Sequence, residues 1–461
     1  MSMQPRRIAI IGGGAAGMSA VHAVVTSPPA LAGTLRATLF EAEERLGGKM
    51  FTTPFAGHPA IDEGPDAFLA RLPWGTALAK AVGLGDSLVA PTAGTAAVWW
   101  EGLHPIPQGL LLGMPTDVMA LARSRLLTPG GKLRAMLEPF RPRTSLADDS
   151  LGSYVRSRFG DQVHLRLVDP LVGSIYAADT DHYSLAAVPQ IYDLARKSRS
   201  ILIARRTMPK PAVDAGPVFY APRGGMGSLV QATADAATAL GAELRTGTPV
   251  TTVERDAEGW RVDGEAFDAI VFACPAKAAA RLLAGVAPDA AATLAQIPAA
   301  DVAMVSLAVH SADWPARLVG MSGYLVPKPM QRLVTAASFG SQKWTHWQVG
   351  DHVILRISLG RDGLPVLHLS DEQLLSAAAE EVGHHIGLMI EPIHARVSRW
   401  PGAFPQYRPH HAARLAQAEG RLPPGLALAG ASYHGIGIPA CIRSGQQAAG
   451  RLTSALFPVP E

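Results

Sequence analysis

Cysteine is scarce in this chain of 461 residues: only Cys274 and Cys441 are present, far apart and without CxxC spacing. Two such cysteines exclude a disulfide framework and a cysteine-bound zinc ion, and they fit a reducing compartment. Charge is also low, because Asp, Glu, Lys and Arg make up 17% of the residues and the formal net charge is +3. The chain has no run of basic residues interleaved with aromatic ones, so we expect no nucleic-acid partner.

Long apolar stretches are missing as well, since no uninterrupted run reaches the roughly 18 residues that a membrane-spanning helix needs. The first apolar run, at residues 8–11, is too short for the hydrophobic region of a signal peptide, so we expect a cytoplasmic protein. Hydrophobic residues still make up 48% of the chain, which is typical of a folded globular protein. A length of 461 residues exceeds one ordinary core and predicts two or three lobes.

Glycine is abundant by contrast, and its most informative cluster follows the first apolar run. Residues 12–17 read Gly-Gly-Gly-Ala-Ala-Gly, a Gly-x-Gly-x-x-Gly pattern between a predicted strand and a helix predicted over residues 15–25. Gly12 permits a tight turn, Gly14 lets a pyrophosphate approach the backbone, and Gly17 lets the helix pack close to the strand. The pattern predicts a dinucleotide site with its phosphates at a helix N-terminus, where unpaired N–H groups favour negative charge.

A second strand is predicted over residues 35–40, and Glu41 follows at its carboxyl end. Glu41 lies 24 positions after Gly17, near the spacing of about 20 that is typical of a carboxylate binding a ribose hydroxyl. The alternative is that Glu41 only caps the strand in solvent. The strand–glycine–helix–strand order favours ribose binding.

The residues behind Glu41 distinguish between dinucleotides. Arg45-Leu46-Gly47-Gly48 is followed by Lys49, and this stretch resembles the flavin amine oxidase superfamily, in which the loop lies along the FAD pyrophosphate. The resemblance favours FAD over NAD, and a surface turn rich in arginine and glycine is the alternative.

The predicted cofactor elements are split between the start, middle and end of the chain. A glycine-rich turn at residues 221–227 precedes a helix predicted over 228–240, and a buried strand is predicted over 268–273. The fold class is therefore α/β, with a Rossmann-like FAD-binding domain built from discontinuous segments, a mixed α+β substrate domain and a helical insertion. The predicted boundaries are 5–57, 221–284 and 410–461 for the FAD-binding domain, 72–182 for the insertion, and 58–71, 183–220 and 285–409 for the substrate domain.

The predicted insertion also carries apolar segments, at residues 110–112 and 118–121. These segments are either ordinary core or an interfacial surface, and ordinary core is the favoured interpretation. In the substrate domain, strands are predicted over residues 302–310 and 353–359 and a helix over 371–386.

Four further segments narrow the family: residues 61–68, 103–107, 173–179 and 426–442. Together they resemble the FAD-dependent protoporphyrinogen and coproporphyrinogen oxidases of haem biosynthesis, from about Arg7 to Leu452. The chain departs from that family's pattern at Lys49 and within residues 174–178, positions that bear on flavin access and substrate choice.

The resemblance implies a set of FAD contacts spread over the whole chain. They are Gly12, Gly13, Gly14, Ala15, Ala16, Gly17, Glu41, Arg45, Gly48, Lys49, Gly64, Pro65, Asp66, Ala67, Val250, Ala431, Ile436, Gly437 and Ile438. Residues 435–438 also predict a tight turn, and Pro439 suits the first position of a following helix. The N-terminus of that helix is expected to face the pyrimidine edge of the flavin and to stabilise negative charge there.

The resemblance further implies a six-electron oxidation of a cyclic tetrapyrrole, with hydride passing from a meso carbon to flavin N5. Molecular oxygen would reoxidise the flavin and give hydrogen peroxide. Because the flavin carries this chemistry, the lack of an acid–base or metal-ligand constellation is expected, and no metal site is predicted.

Two substrate contacts are predicted from the resemblance, Arg71 toward a propionate and Ile175 toward the macrocycle. A solvated arginine and a simple core residue are their respective alternatives. Arg196, Lys197 and Arg199 form a basic run that is interpreted as a solvated helix face rather than as a guide for substrate. His434 is interpreted as a local hydrogen-bonding residue rather than a base.

The expected substrate is coproporphyrinogen III, with protoporphyrinogen IX as the alternative. A composition rich in alanine, glycine, proline and arginine suggests a GC-rich bacterial genome, and such family members act on coproporphyrinogen III. The expected partners also include oxygen, a ferrochelatase and a peripheral membrane contact. Other flavin amine oxidases, a carotenoid desaturase and a silent FAD- or porphyrin-binding carrier are the competing functions.

Overall fold

A five-stranded parallel sheet holds the glycine motif at the carboxyl end of its central strand. The computed structural model describes residues 4–92, 94–107, 109–207, 216–257, 259–348 and 350–458. In spatial order the strands are Glu243–Arg245, Leu35–Phe40, Arg6–Ile11, Ala269–Phe272 and Leu426–Leu428. They come from three distant stretches of chain, which confirms the predicted dinucleotide-binding fold built from discontinuous segments.

The central strand is buried on both faces because helices cover both sides of the sheet. Ile8 and Ile10 point to one helical layer, and Ala9 and Ile11 point to the other, as the two-residue period of a strand requires. The first layer contains Ala15–Val25, Met226–Ala239 and Ile438–Leu456, and the second contains Ala276–Leu283, Pro288–Ala295 and His411–Glu419. The helix predicted over residues 228–240 is observed as Met226–Ala239, so it begins two residues before the predicted start.

A seven-stranded sheet forms the second large unit. In spatial order its strands are His394–Pro405, Ala299–His310, His352–Leu359, Val334–Phe339, Met321–Leu325, Thr95–Trp99 and Leu103–Pro105. The helix Asp371–Ile386 packs on this sheet through Leu374, Ala378 and Val382. It begins at Ser370 with a capping box completed by Gln373, and its bounds coincide with the prediction.

A helical lobe completes the molecule around a core that includes Leu121, Tyr154, Leu167 and Ile191. Its helices are Pro129–Met136, Leu151–Phe159, Asp161–Val163, Ser174–Tyr176, Pro189–Lys197 and Ile201–Thr207, together with Val118–Arg123 and a π-helix at His164–Gly173. Leu121 is buried in the core, as the favoured interpretation of residues 118–121 expects, whereas Met119 is exposed.

The predicted helical insertion over residues 72–182 also contains strands. Thr95–Trp99 and Leu103–Pro105, within that range, are strands of the large sheet rather than helices. Thr95–Trp99 pairs in parallel with Met321–Leu325, and this partner lies more than 200 positions away, so local sequence gave no sign of it. The domain boundaries stay a prediction.

The remaining elements are short and connect the three units. The strands are Thr52–Phe55, His58–Asp62, Phe68–Leu69, Leu88–Val89, Leu110–Leu111, Met114–Pro115, Phe219–Pro222, Val253–Arg255, Trp260–Val262 and Glu265–Phe267. The helices are Pro28–Leu31, Pro73–Ala81, Gly85–Ser87, Glu138–Phe140, Ser311–Asp313, Ala316–Leu318, Lys328–Met330, Gly340–Lys343 and Thr345–Trp347. Within the described part of the chain, every helix is too short or too polar to cross a bilayer.

Candidate functional site

The glycine loop combines two crowded positions with an open one. A Cβ atom on Gly12, whose φ is +111°, would lie 2.9 Å from the backbone of Ala273, and a Cβ on Gly17 would overlap the carbonyl oxygen of Gly12. A Cβ on Gly14 would meet no atom within 4 Å. Gly12 and Gly17 are therefore required for packing, whereas Gly14 faces open space, as the predicted approach of a pyrophosphate requires.

Two helix N-termini offer backbone donors without a side-chain cap. Ala15–Val25 begins at Gly14, and among the described residues no side chain accepts from its first turn. Ile438–Leu456 begins in the same way at Gly437, with Pro439 in its first turn. Uncapped N–H groups and the helix dipole attract anions, so both N-termini suit negatively charged groups of a cofactor.

Glu41 lies against the glycine loop rather than in open solvent. Its Oε2 atom accepts a hydrogen bond from the Gly13 amide, and its Oε1 accepts from the Glu43 amide at 2.9 Å. The amide of Thr248 donates to the Glu41 carbonyl at 2.8 Å, which brings the segment containing Val250 beside the same loop. This position suits the predicted ribose contact of Glu41 and the predicted FAD contact of Val250, which stay predictions.

The second glycine pair closes onto the first. The Gly47 amide donates to the Gly13 carbonyl at 2.8 Å, and a Cβ on Gly48 would lie 3.4 Å from the Gly14 Cα. The guanidinium of Arg45 stacks on the Phe51 ring at 3.9 Å. The predicted pyrophosphate loop thus lies directly beside the first one.

Lys49 contributes positive charge to the same cleft. Its side chain is half-buried and has no ion-pair partner among the described residues. Burial lowers the pKa of Lys49, and the nearby Cys441, in the first turn of the last helix, opposes that shift. A Cβ on Gly64 would overlap the carbonyl oxygen of Lys49, so the predicted 64–67 turn packs against this loop. An anionic cofactor would supply the negative partner that the Lys49 ammonium lacks.

Asp66 takes part in a buried ion cluster. Its carboxylate accepts from Lys343 Nζ at 2.9 and 3.1 Å and from Trp344 Nε1 at 3.0 Å, with Arg356 3.4 Å away. Burial alone would raise the pKa of Asp66, but the charges of Lys343 and Arg356 outweigh it and hold that pKa well below its usual range. Because Arg356 also donates to the Gly64 carbonyl, the cluster fixes the turn, and the predicted FAD contacts of residues 64–67 stay predictions.

Asp62 fixes the start of the helix Met226–Ala239. Its Oδ1 atom accepts from the Met226 amide at 2.8 Å and from the Thr52 hydroxyl, and that hydroxyl accepts from the Gly227 amide at 2.8 Å. Gly225 has a φ of +79°, and its Cβ would overlap Thr52. The glycine-rich turn at residues 221–227 is therefore explained by capping and close packing.

Substituting Asp62 with asparagine should change how stability depends on pH. Burial raises the pKa of Asp62 to about 6, from a value of 3.8. A carboxyl with a raised pKa favours the folded state while it is protonated, and it loses that effect as pH rises through the folded pKa. The wild type should therefore gain about 1 kcal/mol in free energy of unfolding over Asp62→Asn between pH 7 and pH 5.

Urea denaturation of both proteins at the two pH values measures this difference. Asp235→Asn, at an exposed position of the same helix, should parallel the wild type. A constant difference between wild type and Asp62→Asn would contradict the prediction.

The turn before the last helix is tied down at several points. The Gly430 amide donates to Ser444 Oγ at 2.9 Å, the Ala276 amide donates to Ser432 Oγ at 3.1 Å, and the Tyr433 hydroxyl donates to the Cys274 carbonyl at 3.0 Å. His434 pairs with Glu419 at 2.9 Å, which is the local role predicted for it. Ile436 packs against the helical lobe and Ile438 against the core under Phe68. The predicted flavin turn therefore lies between the parallel-sheet unit and the helical lobe.

The two predicted substrate residues lie on different units. Arg71 is exposed and follows the strand Phe68–Leu69, which pairs with Phe219–Pro222 and leaves Phe219 exposed beside it. Ile175 belongs to the helical lobe, and its side chain is 48% exposed, so it is not a core residue. Arg196, Lys197 and Arg199 are all exposed, in agreement with a solvated helix face.

A buried ionic network supports the backbone around Ile175. The Asp169 carboxylate, in the π-helix, accepts from Arg361 at 2.8 and 3.1 Å and from the Thr180 hydroxyl at 2.7 Å. Arg361 also donates to the Ala178 carbonyl, and His164 contacts the Thr180 hydroxyl at 2.9 Å. This network joins the helical lobe to the large sheet.

Sequence reasoning missed several residues that shape the site. They are Thr52, Asp62, Lys343, Trp344, Arg356, Arg361 and Tyr407. Asp62 lies beside the predicted turn of residues 64–67, and its position directly after an apolar residue was a usable signal in the sequence. The others lie far along the chain from the motifs they support, so no local pattern connects them.

Comparison with known proteins agrees with this geometry. The family model described as flavin containing amine oxidoreductase matches residues 30–453. A coproporphyrinogen III oxidase from Mycobacterium tuberculosis (strain H37Rv) is 35% identical over 98% of this chain and 99% of its own length. A protoporphyrinogen oxidase from Bos taurus is 29% identical over 97% of this chain and 98% of its own length. A crystal structure from Exiguobacterium sp. 255-15, assigned as a protoporphyrinogen oxidase, is 30% identical with a TM-score of 0.84, covering 98% of this chain and 99% of that one.

Proposed function

Because the chain belongs to the flavin-containing amine oxidoreductases and is an FAD-dependent oxidoreductase, we propose that it oxidises coproporphyrinogen III to coproporphyrin III. Molecular oxygen is the proposed electron acceptor, and three O2 are converted to three H2O2 as six hydrogens leave the macrocycle. The observation that carries the proposal is the full-length similarity to a coproporphyrinogen III oxidase. The intact glycine loops, with free space at Gly14, support it.

When bound, FAD supplies the hydride acceptor for this oxidation. The chain's own residues hold and polarise it. We assign Glu41 to the ribose, and we assign the open position at Gly14 and the uncapped first helix to the pyrophosphate. The uncapped N-terminus of Ile438–Leu456 and the ammonium of Lys49 favour negative charge in the same cleft.

The substrate is a large apolar macrocycle with carboxylate arms, so its site needs apolar surface and a few cations. We assign Ile175 to the macrocycle because its side chain is exposed although it is apolar. We assign Arg71 to a propionate because it is exposed beside the apolar Phe219. Coproporphyrinogen III has four propionates and protoporphyrinogen IX has two, so further basic groups around the site would favour the former.

Turnover of the two porphyrinogens by the purified protein in air tests the proposal. Porphyrin fluorescence should rise faster with coproporphyrinogen III, and hydrogen peroxide should form alongside it. Faster turnover of protoporphyrinogen IX would reassign the substrate. If FAD-loaded protein turned over neither porphyrinogen, the proposal would be wrong. The competing functions would then be another flavin amine oxidase, a carotenoid desaturase or a carrier.

Arg71→Ala should raise the KM for coproporphyrinogen III roughly tenfold, because an exposed charge-assisted hydrogen bond is worth about 1.5 kcal/mol. The value of kcat should change little, because Arg71 is assigned to binding alone. Arg451→Ala, at an exposed position on the last helix, is the matched control. An unchanged KM in Arg71→Ala would remove Arg71 from the substrate site.

We also propose a peripheral contact between the helical lobe and an anionic membrane surface. Met119, Leu133, Leu137 and Phe140 are exposed apolar side chains on consecutive helices, and Phe140 is 82% exposed. Residues 118–146 contain six basic residues and one acidic residue, Glu138, which is buried against Arg158. Exposed apolar side chains in a stretch of chain rich in cations suit a lipid surface.

Cosedimentation with anionic vesicles, compared with zwitterionic ones, tests the membrane contact, and Phe140→Asp should reduce binding. Equal sedimentation with both kinds of vesicle would contradict it. The ferrochelatase contact stays a prediction from the resemblance.

A further inference from the structure

The Tyr407 hydroxyl closes the turn that precedes the last helix. It donates to the Ala431 carbonyl at 2.6 Å and accepts from the Gly435 amide at 2.8 Å. One hydroxyl thereby satisfies both ends of a five-residue loop that contains one predicted FAD contact and directly precedes another, Ile436. Tyr407 lies 24 positions before Ala431 in the chain, and its side chain is buried, with 6% of the residue exposed.

Stacked rings hold Tyr407 in place. Its ring lies 4.0 Å from the His411 ring at an angle of 10° and 6.2 Å from the Tyr183 ring at 5°. Tyr183 stacks in turn on Tyr176, the neighbour of Ile175, at 5.2 Å. Burial raises the pKa of the Tyr407 hydroxyl far above its usual value, although the Gly435 amide opposes this shift, so the hydroxyl keeps its proton.

We propose that Tyr407 is a positioning residue that preforms the turn of residues 431–435 for FAD. The proposal rests on the assignment of Ala431 and Ile436–Ile438 to the flavin. Without the hydroxyl, the Ala431 carbonyl and the Gly435 amide lose their partner, and buried polar groups without partners are costly. In the apoprotein, these two backbone groups would then turn to solvent and the turn would lose its shape. FAD binding would have to restore that shape.

Tyr407→Phe should therefore weaken FAD affinity about tenfold, as expected from one or two lost hydrogen bonds. Tyr183→Phe is the matched control, because it keeps the stack and removes a buried hydroxyl that has no partner in the described structure. FAD titration of each apoprotein gives the two affinities, and the visible spectrum of bound flavin should shift in Tyr407→Phe alone. Affinities within twofold of each other and of wild type, with identical spectra, would overturn the proposal.

If Tyr407→Phe does not fold, hydrogen exchange of the wild-type apoprotein decides the question. The Gly435 amide should be protected without FAD, because the turn is already formed by Tyr407. Rapid exchange of that amide in the apoprotein would overturn the proposal. Neither readout uses a porphyrinogen, so failure of the proposed oxidase activity would leave this test intact.

Discussion

Gly17→Ala is expected to abolish FAD binding and to lower the free energy of unfolding by about 3 kcal/mol. A methyl group at this position overlaps the Gly12 carbonyl oxygen and lies 3.3 Å from the Ala273 Cβ. These neighbours are backbone and a short side chain that cannot rotate away, so the first helix must move off the sheet. Urea denaturation and the flavin content of the purified protein measure the two effects.

Two other glycines serve as controls for this substitution. Gly14→Ala places its methyl group in free space, so the protein should fold normally and bind FAD more weakly. Gly450→Ala, in the last helix and also in free space, should stabilise the fold by about 0.5–1 kcal/mol and leave FAD binding unchanged. Normal stability and flavin content in Gly17→Ala would show that the loop is not packed as described.

Asp169→Ala should destabilise the protein by about 3–5 kcal/mol, because it leaves the buried guanidinium of Arg361 without its counter-charge. Both side chains of this pair are buried, and the pair joins the π-helix of the helical lobe to the large sheet. Burial alone would raise the pKa of Asp169, but Arg361 outweighs burial and the pKa is lowered, as expected for an ionised pair. Thermal and urea unfolding measure the loss.

The control for Asp169→Ala is an exposed ion pair in the same protein. Asp289 lies 3.7 Å from Arg421, and both side chains are largely exposed. Asp289→Ala should cost less than about 1 kcal/mol, since water screens such pairs. Equal effects of the two substitutions would mean that the Asp169–Arg361 pair is not buried in solution.

The elements that the sequence predicted are local ones. The strand, glycine turn, helix and acid of residues 6–41 follow one another along the chain, and the helix predicted over residues 371–386 starts beside its own capping residue, Ser370. Each of these patterns has its physical cause within a few residues. The predicted bounds therefore agree closely with the structure.

The parts that were missed depend on distant partners. Asp66 stays a predicted cofactor contact, but the sequence gave no sign that its carboxylate meets Lys343 and Trp344, at the end of a short helix about 280 positions away. Tyr407 reaches the Ala431 turn only through the packing of two units. Thr95–Trp99 becomes a strand through pairing with a remote segment. No local pattern carries such information, because tertiary packing decides it.

The most direct test of the account is to add coproporphyrinogen III to the FAD-loaded protein without oxygen and then to admit air. We predict that the visible absorbance of oxidised flavin is lost, and that it returns in air together with hydrogen peroxide and coproporphyrin fluorescence. An unchanged flavin spectrum after coproporphyrinogen III is added to fully FAD-loaded protein would contradict the account.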